Sequence, residues 1–402
     1  MSTTEHTSPH HRAVLITSTS TSTTSDPSAP RSITLANLPT PPSPPPHGTV
    51  LISPLAAPLS ANSRKIWTGA TKYPLFPPLV PGGNCVARVL AVPADAVTLK
   101  PGMLVFFDCT VRGRDDPDAA TTLVGIHAGA GEKSLKLGRE VWRNGTMAEV
   151  ASVPVENVHV LDEEKLCGQD GLGYEIADLA KLGQCVTAYG GLGDAGVGPG
   201  DTVVVAPATG AFGGAAVNMA LGMGCRVVAA GRSGEKLKRL EDGFKNPMLR
   251  TVKLVSEIEK DTAALMEAVG PKGAECYIDW MPTSASSTLK SGETPAHIKP
   301  CISAVRPRGT VSVMGGIMGD VMLPYGQIMF KNLTVRGTLM YTRPQVVQTI
   351  KMLENGNLKL GKGAGVAAAR KFPLEDIEGA LDAVDETEGG WNKNAVLTPC
   401  EW

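Results

Sequence analysis

Apolar residues come in short β-type bursts up to about residue 155, and then the spacing becomes helical. Bursts at 13–16 and 32–35 flank a Ser/Thr-rich turn, and a proline tract follows (Leu38-Pro-Thr-Pro-Pro-Ser-Pro-Pro-Pro). Further bursts at 49–53, 85–92, 103–108 and 146–153 are set off by Gly and Pro, which predicts a barrel-like β domain. The proline tract lies between strand segments and reads as a surface connection within that domain. From about residue 168 helical stretches alternate with strands at 203–206, 225–230, 251–254, 275–279, 310–314 and 333–338. Helices at 344–355 and 374–384 and a strand near 395–398 close the chain. Alternation of this kind predicts an α/β fold, a doubly wound parallel sheet inserted into a β domain. The expected division is 1–165 for the barrel-like catalytic domain, 166–340 for the doubly wound domain and 341–402 for a return to the first.

The second domain opens on the most informative segment. Val203 to Ala206 lead into Ala208-Thr-Gly210-Ala-Phe-Gly213-Gly214, then an Ala- and Met-rich helix and a second strand from Cys225. Strand, glycine turn, helix and strand form the unit that offers a helix N-terminus to a pyrophosphate. Ala208 stands where the first glycine of G-x-G-x-x-G falls. Gly210 leaves room for phosphate beside the backbone, and Gly213 lets the helix pack closely on the strand. Ala208, Thr209, Gly210, Ala211, Phe212 and Gly213 are therefore expected to contact a dinucleotide. NAD enzymes carry an Asp or Glu at the end of the second strand to hold the ribose diol. This chain has Gly231-Arg232-Ser233 there, with Lys236 one helical turn on. Arg232 can hold a 2′-phosphate bidentately, Ser233 can donate to it and Lys236 adds charge, so the expected cofactor is NADP(H).

Bulk properties narrow the class further. The 402 residues suffice for two cores, and 38 basic against 39 acidic residues give no electrostatic case for nucleic acid or an anionic membrane surface. Eight scattered cysteines, none in C-x-x-C spacing, read as reduced core residues and not as a metal cluster. The first twelve residues are polar, and no apolar run is long enough for a signal segment or a membrane span, so a cytoplasmic protein is expected.

Several segments, in order, resemble the medium-chain dehydrogenase/reductase superfamily over nearly the whole chain. They are Val80-Pro-Gly82-Gly-Asn-Cys-Val, Leu99-Lys-Pro-Gly-Met-Leu-Val, Gly145-Thr-Met-Ala-Glu-Val, Thr187-Ala-Tyr, Val197-Gly-Pro-Gly-Asp-Thr-Val, Arg306-Pro-Arg-Gly-Thr-Val and Lys371-Phe-Pro-Leu-Glu-Asp-Ile. The resemblance implies a chaperonin-10-like β-barrel catalytic domain holding a Rossmann domain. It also locates the zinc-ligand positions of many members, which here are Ser60, Gly83 and Gly183. A catalytic zinc needs three N, S or carboxylate ligands, and these residues supply none. The expectation is the zinc-independent branch of quinone oxidoreductases, alkenal reductases and trans-acting enoyl reductases, which reduce an activated C=C bond with NADPH.

That resemblance also implies roles for single residues. Asn62, Arg64 and Lys65 lie on the segment that borders substrate in the family, and Tyr174, Thr187 and Tyr189 on the helical region near the nicotinamide. Tyr341 is expected as the other wall of the substrate space or as a subunit contact. Asn62, Lys65, Tyr174 and Tyr341 are thus the candidate catalytic residues, as hydrogen-bond donors to a developing oxyanion. Thr187, Gly315 and Gly316 are expected to line the cofactor. The strand at 333–338 often pairs across a two-fold axis in this family, which implies a homodimer. Alternatives stay open: a zinc-free carbonyl reductase or alcohol dehydrogenase, a cofactor-binding partner of a carrier protein or synthase, or a non-redox enzyme that keeps the fold.

Overall fold

The bursts at 13–16 and 32–35 pair as an antiparallel hairpin of β1 (His10–Ser18) and β2 (Arg31–Pro39), with Val14 opposite Leu35. The structure is a computed structural model that describes residues 8–18, 31–71, 73–282, 294–317, 319–386 and 390–401. Much of the Ser/Thr-rich turn between the two strands lies outside the described residues. Val14 donates its N–H to Met147 O and Ile16 to Leu79 O, both at 2.9 Å, which fastens the hairpin to the rest of its unit.

The expected strand at 49–53 runs on through Pro54 as β3 (Thr49–Pro58). Register shifts between Leu51 and Ile52 and between Pro54 and Ala56 let a residue without an N–H sit inside the strand. α1 (Ser63–Trp67) follows. β4 (Cys85–Ala91), β5 (Leu104–Phe107), the small pair β6 (Thr110–Arg112) and β7 (Thr121–Leu123), α2 (Glu132–Lys136), β8 (Ala151–Pro154) and β9 (Val158–Val160) come next. β3, β4, β5 and β9 are antiparallel neighbours in that order, and β8 pairs with the first half of β3. α3 (Glu163–Cys167) and α4 (Ile176–Leu179) stay with this sheet, α4 packing on β3 and β4.

The second unit begins in α5 (Leu182–Asp194) and then alternates strand and helix. Its elements are β10 (Thr202–Ala206), α6 (Ala211–Gly222), β11 (Arg226–Gly231), α7 (Gly234–Phe244), β12 (Leu249–Lys253), α8 (Ile258–Val269) and β13 (Ala274–Asp279). They continue with α9 (Ile298–Ala304), β14 (Val305–Val313), α10 (Tyr325–Phe330), β15 (Thr334–Gly337) and α11 (Arg343–Glu354). The six strands are parallel in the order β12-β11-β10-β13-β14-β15. That order reverses between β10 and β13, and ligands of such sheets bind at the carboxyl ends beside this reversal. Every residue of β10 is buried, as a central parallel strand covered on both faces requires.

The chain then rejoins the first unit with β16 (Arg370–Phe372), α12 (Ile377–Glu386) and β17 (Ala395–Leu397). β17 pairs antiparallel with the end of β3, and β16 lies parallel beside it, completing a seven-stranded sheet. The units are 1–183, 369–389 and 394–402 on one side and 184–368 and 390–393 on the other. The expected limits were 165/166 and 340/341. Two packing facts account for the difference: α3 and α4 remain with the first sheet, and Gln345 of α11 bonds Asp194 Oδ1 of α5 at 3.1 Å. No helix among the described residues is long and apolar enough to cross a membrane.

Candidate functional site

At the end of β10 the turn 207–210 delivers the chain into α6. Gly210 precedes the helix in an extended conformation (φ −75°, ψ 175°) and is exposed. The Gly214 N–H donates to Gly210 O at 2.8 Å. The amides of Ala211, Phe212 and Gly213 thus have no helical carbonyl to bond, and the helix dipole adds to their positive end. A Cβ built on Gly210 meets nothing within 4 Å, so this end is open. A Cβ on Gly213 would stand 2.1 Å from Pro207 O, so only glycine lets α6 start against the strand end. Ala208 is fully buried and donates to Ala230 O at 2.9 Å, which ties the turn to β11, and Thr209 is half-buried.

β11 ends at Gly231. A Cβ there would meet Thr209 Cγ2 at 3.4 Å, an ordinary contact, so space does not explain the missing carboxylate. Arg232 is exposed, and among the described residues no ion pair or hydrogen bond engages its guanidinium. Ser233 caps α7, its Oγ accepting from the Lys236 N–H at 3.3 Å. The sequence reading had Ser233 only as a donor to phosphate. Its hydroxyl proton is still available while the oxygen caps the helix.

Across the reversal, β13 ends at Asp279, a buried carboxylate that accepts the Tyr277 hydroxyl at 2.9 Å and lies 3.1 Å from His297 Nε2. Burial pushes the Tyr277 phenol well above its usual pKa. This cluster escaped the sequence reading, for which Tyr-x-Asp at a strand end was the available signal. A Cβ on Gly315 would stand 2.5 Å from Asp279 Oδ2 and 2.9 Å from Met281 N. The close approach at Gly315 is therefore to the neighbouring strand end, and Gly316 donates to Met281 O at 2.7 Å. Trp280 stacks on Phe212 with ring centroids 5.6 Å apart.

A segment from far along the chain also reaches the glycine turn. Gly390 forms an antiparallel bridge with Gly210, and Trp391 packs where a Gly214 side chain would be, 2.2 Å from its Cβ position. The Trp391 indole donates to Ala364 O at 2.9 Å. Thr187 is buried in α5. Tyr341, expected as a substrate wall or subunit contact, is only 1 % exposed and lies against Gly190 of α5.

In the first unit, half-buried Asn62 is the residue before α1 and exposed Lys65 lies within it. Neither has a side-chain partner among the described residues. Arg64 of the same helix is engaged by α12, donating to Glu378 at 2.6 Å, Asp382 at 2.5 Å and Asp385 at 2.8 Å. Tyr174 is half-buried just before α4. A shallow depression in this unit is lined by Leu75, Phe76, Leu79, Ile126, His127 and Trp142. One wall is a π-helical turn, Leu137–Val141, a rare form that recurs at functional sites. His127 Nδ1 accepts the Gly129 N–H at 2.8 Å, and burial lowers its pKa, so the neutral ring carries its proton on Nε2.

The positions that resemblance gives to zinc ligands do not fit a metal. Ser60 Oγ lies 3.1 Å from Ser63 Oγ. A Cβ on Gly83 would come within 2.3 Å of Ile126 Cδ1, and one on Gly183 within 2.4 Å of Asn84 Nδ2. Asn84 Oδ1 is itself engaged by the Cys109 N–H at 2.8 Å. Among the described residues no three His, Cys, Asp or Glu side chains gather to hold an ion.

Comparison with known proteins agrees with this architecture. Residues 46–163 match the family described as alcohol dehydrogenase GroES-like domain, and residues 211–355 match zinc-binding dehydrogenase. Alcohol dehydrogenase 1 of Emericella nidulans is 27% identical over 50% of this chain and 52% of its own length. An alcohol dehydrogenase of Rhizobium meliloti is 28% identical over 50% of this chain and 52% of its own length. The chain thus spans about half the length of the curated relatives it matches. Among solved structures, AibC superposes with a TM-score of 0.72 at 17% identity, covering 98% of this chain and 97% of that one. A Sinorhizobium meliloti protein described as a zinc-binding dehydrogenase and bound to NADP gives 0.71 at 16%, over 98% and 100%. An Escherichia coli alcohol dehydrogenase bound to NADH gives 0.70 at 17%, over 97% and 100%. With both halves matched in chain order on this fold, the protein belongs to the medium-chain dehydrogenase/reductase superfamily.

Proposed function

We propose that the protein is an NADP(H)-dependent, zinc-independent oxidoreductase that delivers hydride to an activated C=C bond, in an enone, enal or enoyl substrate. The observation that carries the cofactor choice is Arg232: an exposed guanidinium without a partner among the described residues, at the strand end where a ribose-binding carboxylate is missing. The amides of Phe212 and Gly213, which have no helical carbonyl to bond, fit a pyrophosphate, and a Cβ at Gly210 would meet nothing within 4 Å. When bound, the reduced nicotinamide supplies the hydride.

Zinc independence rests on Ser60, Gly83 and Gly183, which offer neither a ligand set nor room for one. Without a Lewis acid, the electron pair that moves onto the substrate carbonyl as the β-carbon accepts hydride needs hydrogen-bond donors. The Asn62 amide, the Lys65 ammonium and the Tyr174 hydroxyl are the groups we assign to that task. The α-carbon then takes a proton from water, which leaves hydroxide to solvent and gives the saturated carbonyl compound. Reduction of a carbonyl to an alcohol is the second reading, favoured by the names of the curated relatives.

The edge strand β15 is exposed along its whole length, and Phe330 just before it is 81 % exposed. Such an edge supports a homodimer that pairs β15 with its copy. The test of function is titration of NADPH and NADH, followed by product analysis with an enone. Loss of the alkene with the carbonyl retained supports the proposal, and an alcohol product supports the second reading. If NADPH binds but no free enone reacts, a substrate tethered to a carrier protein is indicated.

A further inference from the structure

The parallel register of β11 and β12 places Gly231 beside Lys253, so both strands end at one level. From Gly231 the chain continues through Arg232 and the cap Ser233 into Gly234, the first residue of α7. Gly234 has no side chain, and a Cβ there would stand 3.6 Å from Lys253 Cδ. The lysine stem therefore lies beside the first turn of α7, where the Gly234 and Glu235 amides have no helical carbonyl to bond.

Charge balance around this spot is uneven. Arg239 is paired with Glu235, Lys238 with Asp242 at 2.9 Å and Lys260 with Glu257 at 2.7 Å. The nearby carboxylates are thus engaged elsewhere. Arg232 and Lys253 are both exposed, and neither has an ion pair or hydrogen bond among the described residues. Two unneutralised cations from adjacent strand ends, beside a helix N-terminus, suit a dianion better than a neutral diol.

We propose that Lys253 is a specificity-determining residue that binds the 2′-phosphate of NADP(H) together with Arg232. This rests on the NADP(H) reading above and adds to it a residue outside the fingerprint segment 231–236. Arg232 supplies planar bidentate donors and Lys253 a point charge from the other side.

The test is calorimetric titration of NADPH, NADH, 2′-AMP and 5′-AMP into the wild type, Lys253→Met and Lys253→Arg. Lys253→Met is expected to weaken NADPH and 2′-AMP by about tenfold, the scale of one lost charge-assisted bond, while NADH and 5′-AMP are unchanged. Lys253→Arg is expected to restore most of the loss. If the wild type prefers NADPH and Lys253→Met binds it equally well, the lysine assignment falls and the cofactor reading stands. A wild type that binds NADH at least as tightly as NADPH removes both. Equal weakening of all four ligands assigns Lys253 to the fold and overturns the proposal.

Discussion

A side chain on Gly183 would collide with the amide of Asn84, 2.4 Å from its Cβ position. The space a third metal ligand would need is already filled by another residue. Purified protein is therefore expected to carry no stoichiometric zinc in elemental analysis, and a chelator to leave activity and melting temperature unchanged. Gly183→Cys is expected not to recruit metal and to cost about 1–3 kcal/mol of stability by overpacking. One equivalent of zinc in the wild type would refute zinc independence.

Cofactor selectivity is expected to move with the end of β11. Gly231 has room for a larger side chain, so Gly231→Asp combined with Arg232→Ala is a substitution of charge without a clash. It is expected to raise the Kd for NADPH by roughly tenfold or more and to leave NADH bound as well or better. Fluorescence titration reads both. An unchanged NADPH affinity removes the 2′-phosphate from this strand end.

The two glycines of the turn are expected to fail differently. Gly213→Ala places a methyl 2.1 Å from Pro207 O and is expected to destabilise the protein by about 1–3 kcal/mol. Gly210→Ala meets open space and is expected to leave thermal stability nearly unchanged while weakening cofactor binding. Thermal melts with and without NADPH separate these effects. Equal melts for both variants would contradict the packing described.

Burial lowers the pKa of His127 in the folded state below its ordinary value of 6.5. The unfolded chain therefore binds the proton more readily, and stability from this residue is present above about pH 6.5 and declines as the pH falls towards the folded value. His127→Gln is expected to flatten that acid-side decline in urea unfolding midpoints measured from pH 7 to 5. A slope identical to the wild type assigns the decline to other groups.

Self-association is expected to depend on the edge of the parallel sheet. Phe330→Glu with Val335→Lys puts charge on two exposed apolar positions, 81 % and 39 % accessible, and is expected to give a monomer in analytical ultracentrifugation. Persistence of a dimer would move the interface elsewhere.

Much of the second unit was readable because its central strands β10, β11 and β13 are mostly apolar runs. The segment 203–228 gave β10, α6 and β11 nearly to the residue, since Val203–Val205 and the glycines leave little choice. β14 starts earlier than expected, at Val305, because Arg306, Pro307 and Arg308 hide strand character behind polar residues. The three-residue strand Val158–Val160 is too short to show a period, and it is fixed by its partner β5. β3 was cut short at Pro54, where a bulge absorbs the proline. The site divides in the same way. Local signals pointed to Gly213 and Arg232, whereas Lys253 becomes visible only through the register of β12 on β11. The burial of Tyr341, 1 % exposed with its Cβ beside Gly190, had no local signal either, since it depends on a contact with α5.

The pairing of Gly390 with Gly210 has a consequence for how the protein is made. Domains emerge from the ribosome N-terminal part first, at about 5–20 residues per second. The nucleotide-type sheet is complete once β15 has been synthesised, yet Trp391, the ring that fills the face of α6 over Gly214, has not been translated. During synthesis that helix face must wait with its glycines uncovered. Late contacts between distant positions slow folding, and here they bear on the very turn that the cofactor would occupy. The nascent chain is thus expected to become binding-competent only when 390–393 arrives, which makes readiness for ligand trail the completion of the sheet that holds the turn.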